Sequence, residues 1–127
     1  MDINTLSSKV IGAAIEVHKV LGPGLLESAY EECICHELNI RDVSFERQKP
    51  LPLVYKGRSL DCGYRLDLVV EDAIVVELKS CNNIEPIHQA QLLTYLKLSG
   101  LKLGLLLNFN VPMMRDGIVR VVNQLEE

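Results

Sequence analysis

The stretch Leu66-Asp67-Leu68-Val69-Val70-Glu71-Asp72-Ala73-Ile74-Val75-Val76-Glu77-Leu78-Lys79 decides the fold. Two runs rich in Val, Leu and Ile flank a short acidic turn, which predicts a β-hairpin. Three charges, Asp67, Glu77 and Lys79, sit inside those apolar runs. A carboxylate enters such surroundings only when it is paired, placed at a strand end or gathered around a cation. Side chains alternate along a strand, so Glu77 and Lys79 leave the same face. The turn decides whether Asp67 joins them. A two-residue turn, Glu71-Asp72, sets Leu66 against Glu77 and points Asp67 to the other face. A three-residue turn, Glu71 to Ala73, sets Asp67 across from Glu77. The odd-length turn, or an equivalent bulge, is the expectation.

Working outward, Val43-Ser44-Phe45-Glu46-Arg47 alternates apolar and polar and predicts a strand. Leu51 to Tyr55 predicts a second, in an edge position because Pro50 and Pro52 cannot donate to a ladder. Lys56-Gly57 turns into a third, from Ser59 to Val70, and a fourth spans Ala73 to Lys79. Pro86 to Leu98 predicts a helix, opened by proline and stopped by Gly100. Leu103 to Asn108 is a near-continuous apolar run, as in a central strand covered on both faces. Gly117 to Val122 closes the chain as a further strand.

Two helices precede all of this. From Thr5 to Leu21, the residues Val10, Ala14, Val17 and Leu21 recur on one face. Gly22-Pro23-Gly24 breaks that helix, and a second runs from Leu25 to Leu38 with Leu26, Tyr30, Cys33 and Glu37 along one side and Ala29, Ile34 and Leu38 nearby. The predicted order is α-α-β-β-β-β-α-β-β, an α/β class with a mixed sheet in one domain over residues 1–127.

Composition sets outer bounds. The chain has 127 residues, 48% hydrophobic and 24% charged, and leucine alone fills 21 positions, ample for one core. Thirteen basic against 17 acidic side chains give a formal charge of −4, which excludes a sequence-blind basic nucleic-acid binder. It leaves room for an enzyme that touches nucleic acid through a local patch. No run reaches the roughly 18 apolar residues of a membrane span, and residues 1–9 lack the pattern of a signal peptide. The cysteines at 33, 35, 62 and 81 form no C-x-x-C pair and lack zinc-site spacing with the histidines at 18, 36 and 88. These features predict reduced thiols, a cytoplasmic location and no membrane partner.

Two carboxylates beside a lysine suit phosphodiester hydrolysis. The acids would hold a divalent cation, and the lysine would position water or oppose developing negative charge. A cross-strand salt bridge without chemistry accounts equally well for the spacing alone, because D-x(9)-E-x-K arises by chance. Further residues bear on the choice. Glu27 and Tyr30 are one turn apart on the second helix, and His88, Gln91 and Tyr95 share a face of the later one.

At this point the chain resembles a known family. Gly24-x-x-Glu27-x-x-Tyr30, with the surrounding Leu21-Gly22-Pro23-Gly24-Leu25-Leu26-Glu27, matches the signature of the GxxExxY proteins, grouped with the PD-(D/E)xK nuclease superfamily of restriction-endonuclease-like fold. Asp67 and Glu77-Leu78-Lys79 match the core of that superfamily motif, and Gln91-x-x-x-Tyr95 resembles the added motif of its RecB-like nucleases. Leu66 stands where the superfamily name has proline, a position that holds no metal. The resemblance covers Val10 to Val122. It implies Mg²⁺, with Mn²⁺ as the alternative ion, held by Asp67, Glu77, the Leu78 carbonyl and Glu27. It implies Lys79 as the catalytic lysine, with Gln91 and Tyr95 orienting phosphate or bracing the site. One bound Mg²⁺ would bring the formal charge to −2 and two would bring it to zero.

Arg47, Lys49, Lys56, Arg58 and Arg65 fall within 19 residues that contain one acid, Asp61. They form either a phosphate-facing patch or a solvated strand edge. The reading is therefore a Mg²⁺-dependent nuclease acting on DNA, with a homodimer as an analogy for cutting two strands. The alternatives are a nucleic-acid-binding module of nuclease fold without turnover, and a protein-interaction subunit.

Overall fold

The computed structural model describes residues 1–126. Helix α1 spans Ile3–Leu21 and is capped by Asp2, whose carboxylate accepts from the Thr5 N–H at 2.8 Å. Its buried stripe is Leu6, Val10, Ala13, Ala14 and Val17, whereas Leu21 is 38% exposed and lies off the core face expected for it. Helix α2 spans Glu27–Ile40, shifted two residues toward the C-terminus from the expectation. Its buried residues are Tyr30, Ile34, Cys35 and Leu38, and Leu26 is 75% exposed. Of the stripe expected from the sequence only Tyr30 is buried, and the core face turns instead toward Ile34 and Leu38, because α2 carries few strong apolar residues to mark one stripe.

Five strands form the main sheet: β1 (Phe45–Pro50), β4 (Arg65–Val70), β5 (Ile74–Lys79), β6 (Leu103–Asn108) and β7 (Ile118–Val122), in that spatial order. Between β1 and β4 the chain leaves the sheet to form a separate hairpin of β2 (Leu53–Tyr55) and β3 (Arg58–Leu60). The expected single strand Ser59 to Val70 is thus two strands, parted by Asp61-Cys62-Gly63-Tyr64, where the Asp61 carboxylate accepts from the Gly63 N–H in a local turn. Leu51 to Tyr55 is not an edge strand of the main sheet, and β1 starts two residues later than expected and takes the edge itself. Residues 114–117 form a 3₁₀ turn before β7. The main sheet is mixed, with β5 and β6 parallel and the other neighbours antiparallel.

The β4–β5 connection is the three-residue turn. Val70 pairs with Ile74, Val69 with Val75 and Leu68 with Val76, and the Ala73 N–H donates to the Val70 carbonyl at 2.9 Å. Glu71 and Asp72 both adopt φ of 52°. Hairpin turns of this hand usually employ Asn and Gly. Here Glu71 is tied on both sides to Ser44: its N–H donates to the Ser44 carbonyl and its carboxylate accepts from the Ser44 N–H.

Two cores result. Leu68, Val70, Ile74, Val76, Leu78, Leu103, Leu105 and Leu107 face α1 and α2. Val69, Val75 and Leu106 face the third helix, α3 (Pro86–Ser99), through Leu92, Tyr95 and Leu96. The sequence grouped Tyr95 with His88 and Gln91, but it enters the core with Leu92 and Leu96, at its rim with 9% exposure. β6 is buried along its whole length, as a strand covered on both faces must be.

Candidate active site

The site begins where the β4–β5 ladder opens. The register sets Asp67 opposite Glu77, but backbone pairing ends at Leu68 and Val76. Beyond them, side chains take over the backbone bonds. Glu77 Oε2 accepts from the Asp67 N–H at 2.9 Å, and Asp67 Oδ2 accepts from the Leu78 N–H at 2.8 Å. Each carboxylate thereby fixes the other's strand. In a strand the N–H and C=O of one residue point to the same side. The Leu78 carbonyl therefore faces the opening together with its N–H.

Glu77 and Lys79 alternate with Leu78, which enters the α1/α2 core, so both leave toward the α3 side with Val75. Glu77 is 7% exposed, and burial together with the neighbouring Asp67 charge pushes its carboxyl up to about 8 from an ordinary 4.5. Lys79 is half-buried and its charge partly opposes that rise. Tyr95 reaches the same place from α3: burial raises its phenol, and the charges of Glu77 and Asp67 add to the effect.

The far end of β5 is held rigidly. Lys79 pairs with Asn108 in the parallel ladder, and its carbonyl accepts from the Phe109 N–H. The buried Asn108 amide bonds both the N–H and the C=O of Cys81. Ser80 Oγ donates to the Leu25 carbonyl at 2.6 Å, which draws the α1–α2 loop against the residue following Lys79.

That loop explains the Gly24, Glu27, Tyr30 pattern. Tyr30 is fully buried, stacked on Phe109 with ring centroids 4.4 Å apart. Its hydroxyl donates to the Gly22 carbonyl at 2.6 Å and accepts from the Leu25 N–H at 3.1 Å. Gly24, at φ of 96°, lets the chain turn beneath that clamp. Glu27 then opens α2 two residues beyond the anchored Leu25. It is exposed and does not bond Asp67 or Glu77. Among the described residues no three His, Cys, Asp or Glu side chains are gathered closely enough to enclose a metal. Asp67 and Glu77 bring two carboxyl groups together, and the charge of the first helps burial keep the second protonated, a donor set that a hard divalent cation would neutralise on displacing that proton.

Two residues the sequence did not single out complete the wall. Glu31, one turn after Glu27, accepts from Gln48 Nε2 at 2.6 Å, and the same amide nitrogen lies 3.4 Å from Asp67 Oδ1. Gln48 holds φ of 52° in the middle of β1. Strained backbone of this kind persists where surrounding contacts enforce it. The spacing of Glu27 and Glu31 was a usable signal for the first; nothing local marks Gln48.

The other predicted residues scatter. Gln91 is exposed on α3, one turn before Tyr95. His88 Nδ1 accepts from the Glu85 N–H and so caps α3. Arg47 is 2.7 Å from both Glu31 and Glu32, and Lys49 lies near Glu46 and Asp72. Lys56, Arg58 and Arg65 are exposed, and among the described residues none of the three forms an ion pair. The basic stretch is therefore divided, two cations engaged with acids and three open to solvent.

Three helices on a mixed five-stranded sheet, with acidic residues where its central hairpin splays, define an α/β protein of restriction-endonuclease-like architecture. A family model of the PD-(D/E)XK nuclease superfamily matches residues 4–121, and the chain belongs to that superfamily. Its members generally use divalent metals. No curated protein and no solved structure matches the chain. Among the described residues no helix is long and apolar enough to cross a membrane.

Proposed function

We propose that this protein is a Mg²⁺-dependent nuclease that hydrolyses phosphodiester bonds in DNA, Mn²⁺ serving as the alternative ion, and that it belongs with the GxxExxY group on the strength of Gly24, Glu27 and Tyr30. The observation that carries the reading is the pair of side-chain bonds at the opened ladder, Glu77 accepting from the Asp67 N–H and Asp67 accepting from the Leu78 N–H, with Lys79 on the same side of β5 as Glu77. Asp67, Glu77 and the Leu78 carbonyl would hold the cation, with Glu27 reaching in from the start of α2. A bound divalent cation supplies charge neutralisation at the phosphate and acidifies the attacking water. Lys79 donates to a non-bridging phosphate oxygen or to that water and opposes the charge that builds there. Gln91 and Tyr95 orient phosphate or brace the site from α3. The unpaired edge of β7, or the outward apolar residues Ile15, Val20 and Leu21 of α1, would join two copies where two strands are cut.

Incubation with plasmid, single-stranded and branched DNA and with RNA tests this reading, with Mg²⁺, Mn²⁺ or EDTA. Cleavage should need the metal and fall at least about 100-fold in Lys79→Ala. Cleavage that survives in Lys79→Ala would locate the activity elsewhere. Binding without cleavage would mark a module that has kept the fold and lost the reaction.

A further inference from the structure

The excursion between β1 and β4 is the least economical part of the fold. It closes on itself at its neck, where the Leu51 N–H donates to the Tyr64 carbonyl at 2.9 Å. Its strands β2 and β3 pair with each other and with no strand of the main sheet. Isolated two-stranded hairpins are marginally stable in water. This one nevertheless exposes Val54 and Tyr55, at 63% and 64%.

Its chemistry is patterned. Tyr55 pairs directly with Arg58, which puts ring and guanidinium side by side on one face of the hairpin. The Lys56 ammonium lies 5.4 Å from the Tyr55 ring centroid. At the neck, Tyr64 is 44% exposed and meets the Tyr95 ring edge-on, centroids 6.2 Å apart. Tyr95 in turn feels the charges of Glu77 and Asp67, so the aromatic pair leads from the acids to the surface. The three cations of the basic stretch that form no ion pair among the described residues, Lys56, Arg58 and Arg65, all lie on or beside this excursion.

We propose that the Leu51–Tyr64 excursion is a grip for single-stranded nucleic acid, with unpaired bases stacking on Tyr55 and Tyr64 and phosphates meeting Lys56, Arg58 and Arg65. Exposed rings interleaved with unpaired cations suit a strand whose base faces are free, whereas a duplex keeps those faces stacked on one another. An acidic peptide would use the cations but give the ring faces little to hold. The inference deepens the nuclease reading and rests on it for the direction of the strand toward the acids, while its test is independent of turnover.

The test is fluorescence anisotropy of labelled single-stranded DNA, single-stranded RNA and duplex DNA, all in EDTA. The parent protein should bind a single strand more tightly than the duplex. Tyr55→Ala should weaken single-strand binding at least about fivefold, and Tyr55→Phe should retain it. Arg58→Glu should weaken it further and lower the slope of log K against log salt by about one or more. Tyr55 and Arg58 are exposed on the hairpin, so both variants should fold, and circular dichroism checks that they do. Single-strand affinity unchanged in both variants, or a preference for duplex, overturns the grip. That result can stand beside intact Lys79-dependent cleavage, and loss of cleavage can stand beside an intact grip, so the two readings fail separately. The DNA and RNA arms show which sugar is accepted.

Discussion

Asp67 and Glu77 each replace a backbone bond that the other's strand has lost, Glu77 Oε2 accepting from the Asp67 N–H and Asp67 Oδ2 from the Leu78 N–H. The arrangement confines two carboxyl groups where one is held far above its ordinary range. Buried and facing Asp67, Glu77 releases its proton at about 8 in the folded chain against 4.5 when unconstrained. The folded state therefore binds more protons than the unfolded state between those limits, and stability falls as pH rises through that window. The contribution is fully present below 4.5 and gone above about 8. The metal-free protein should lose on the order of several °C of Tm across the window, and Glu77→Gln should flatten the loss. A Mg²⁺ ion bound at these carboxylates would compete with the same proton, so any stabilisation by added Mg²⁺ should grow with pH. Equal pH profiles for Glu77→Gln and the parent would show that Glu77 does not control the titration.

Gln48 offers a second test, because its backbone and its side chain make opposite demands. A φ of 52° costs an ordinary residue roughly 1–2 kcal/mol, while its amide nitrogen bonds Glu31 and lies beside Asp67. Gln48→Gly relieves the strain as it removes the bond, and the net change in stability should stay within about 1 kcal/mol. Gln48→Ala loses the bond and keeps the strain, so it should be the less stable of the two. Both should cleave more slowly, since the amide that links Glu31 to Asp67 is gone and Arg47 alone then engages Glu31. Chemical denaturation ranks the pair, and the reverse order would show that strain is not stored there.

Much of this arrangement was legible before any coordinates, and the reasons are local. The charges at Asp67 and Glu77 made sense on one face only, so they dictated a three-residue turn, and the register carries it. The apolar run Leu103–Leu107 announced a buried strand through composition alone. What failed depended on distant contacts. The expected strand from Ser59 to Val70 breaks at Asp61 because a side-chain turn competes with the ladder there. Arg47 belongs to the basic stretch by sequence, yet Glu31 and Glu32 on α2 engage it. The same helix brings Glu31 to Gln48, a meeting across 17 positions that no periodicity encodes.

Tyr30 should behave as a structural clamp with functional consequences. Tyr30→Phe keeps the ring stacked on Phe109 but removes the hydroxyl from Gly22 and Leu25, leaving two backbone groups to find water. The expected cost is about 1–3 kcal/mol, read by thermal denaturation. Because the loop it fixes delivers Glu27 and is anchored beside Lys79 through Ser80, kcat should fall as well, with KM for the nucleic acid little changed. A stable variant of unchanged kcat would detach the loop from the reaction.

The approach of α3 to the sheet rests on Gly104 of β6. A Cβ there would come within 2.8 Å of Leu92 Cγ and Cδ2, closer than side chains tolerate. Gly104→Ala should therefore cost about 1–3 kcal/mol through overpacking and push α3 outward. Tyr95 sits on the next turn from Leu92, so the displacement also carries its phenol away from Glu77 and Asp67. Leu92→Ala alone should cost about 2–5 kcal/mol as a cavity. In the double variant the alanine at 104 enters space vacated by the leucine, and the combined cost should be smaller than the two single costs added together, by at least about 0.5 kcal/mol. Cleavage should recover in the double variant relative to Gly104→Ala, because α3 can settle back. Strict additivity in the denaturation cycle would mean that the glycine is needed for its backbone rather than for the room it leaves to Leu92.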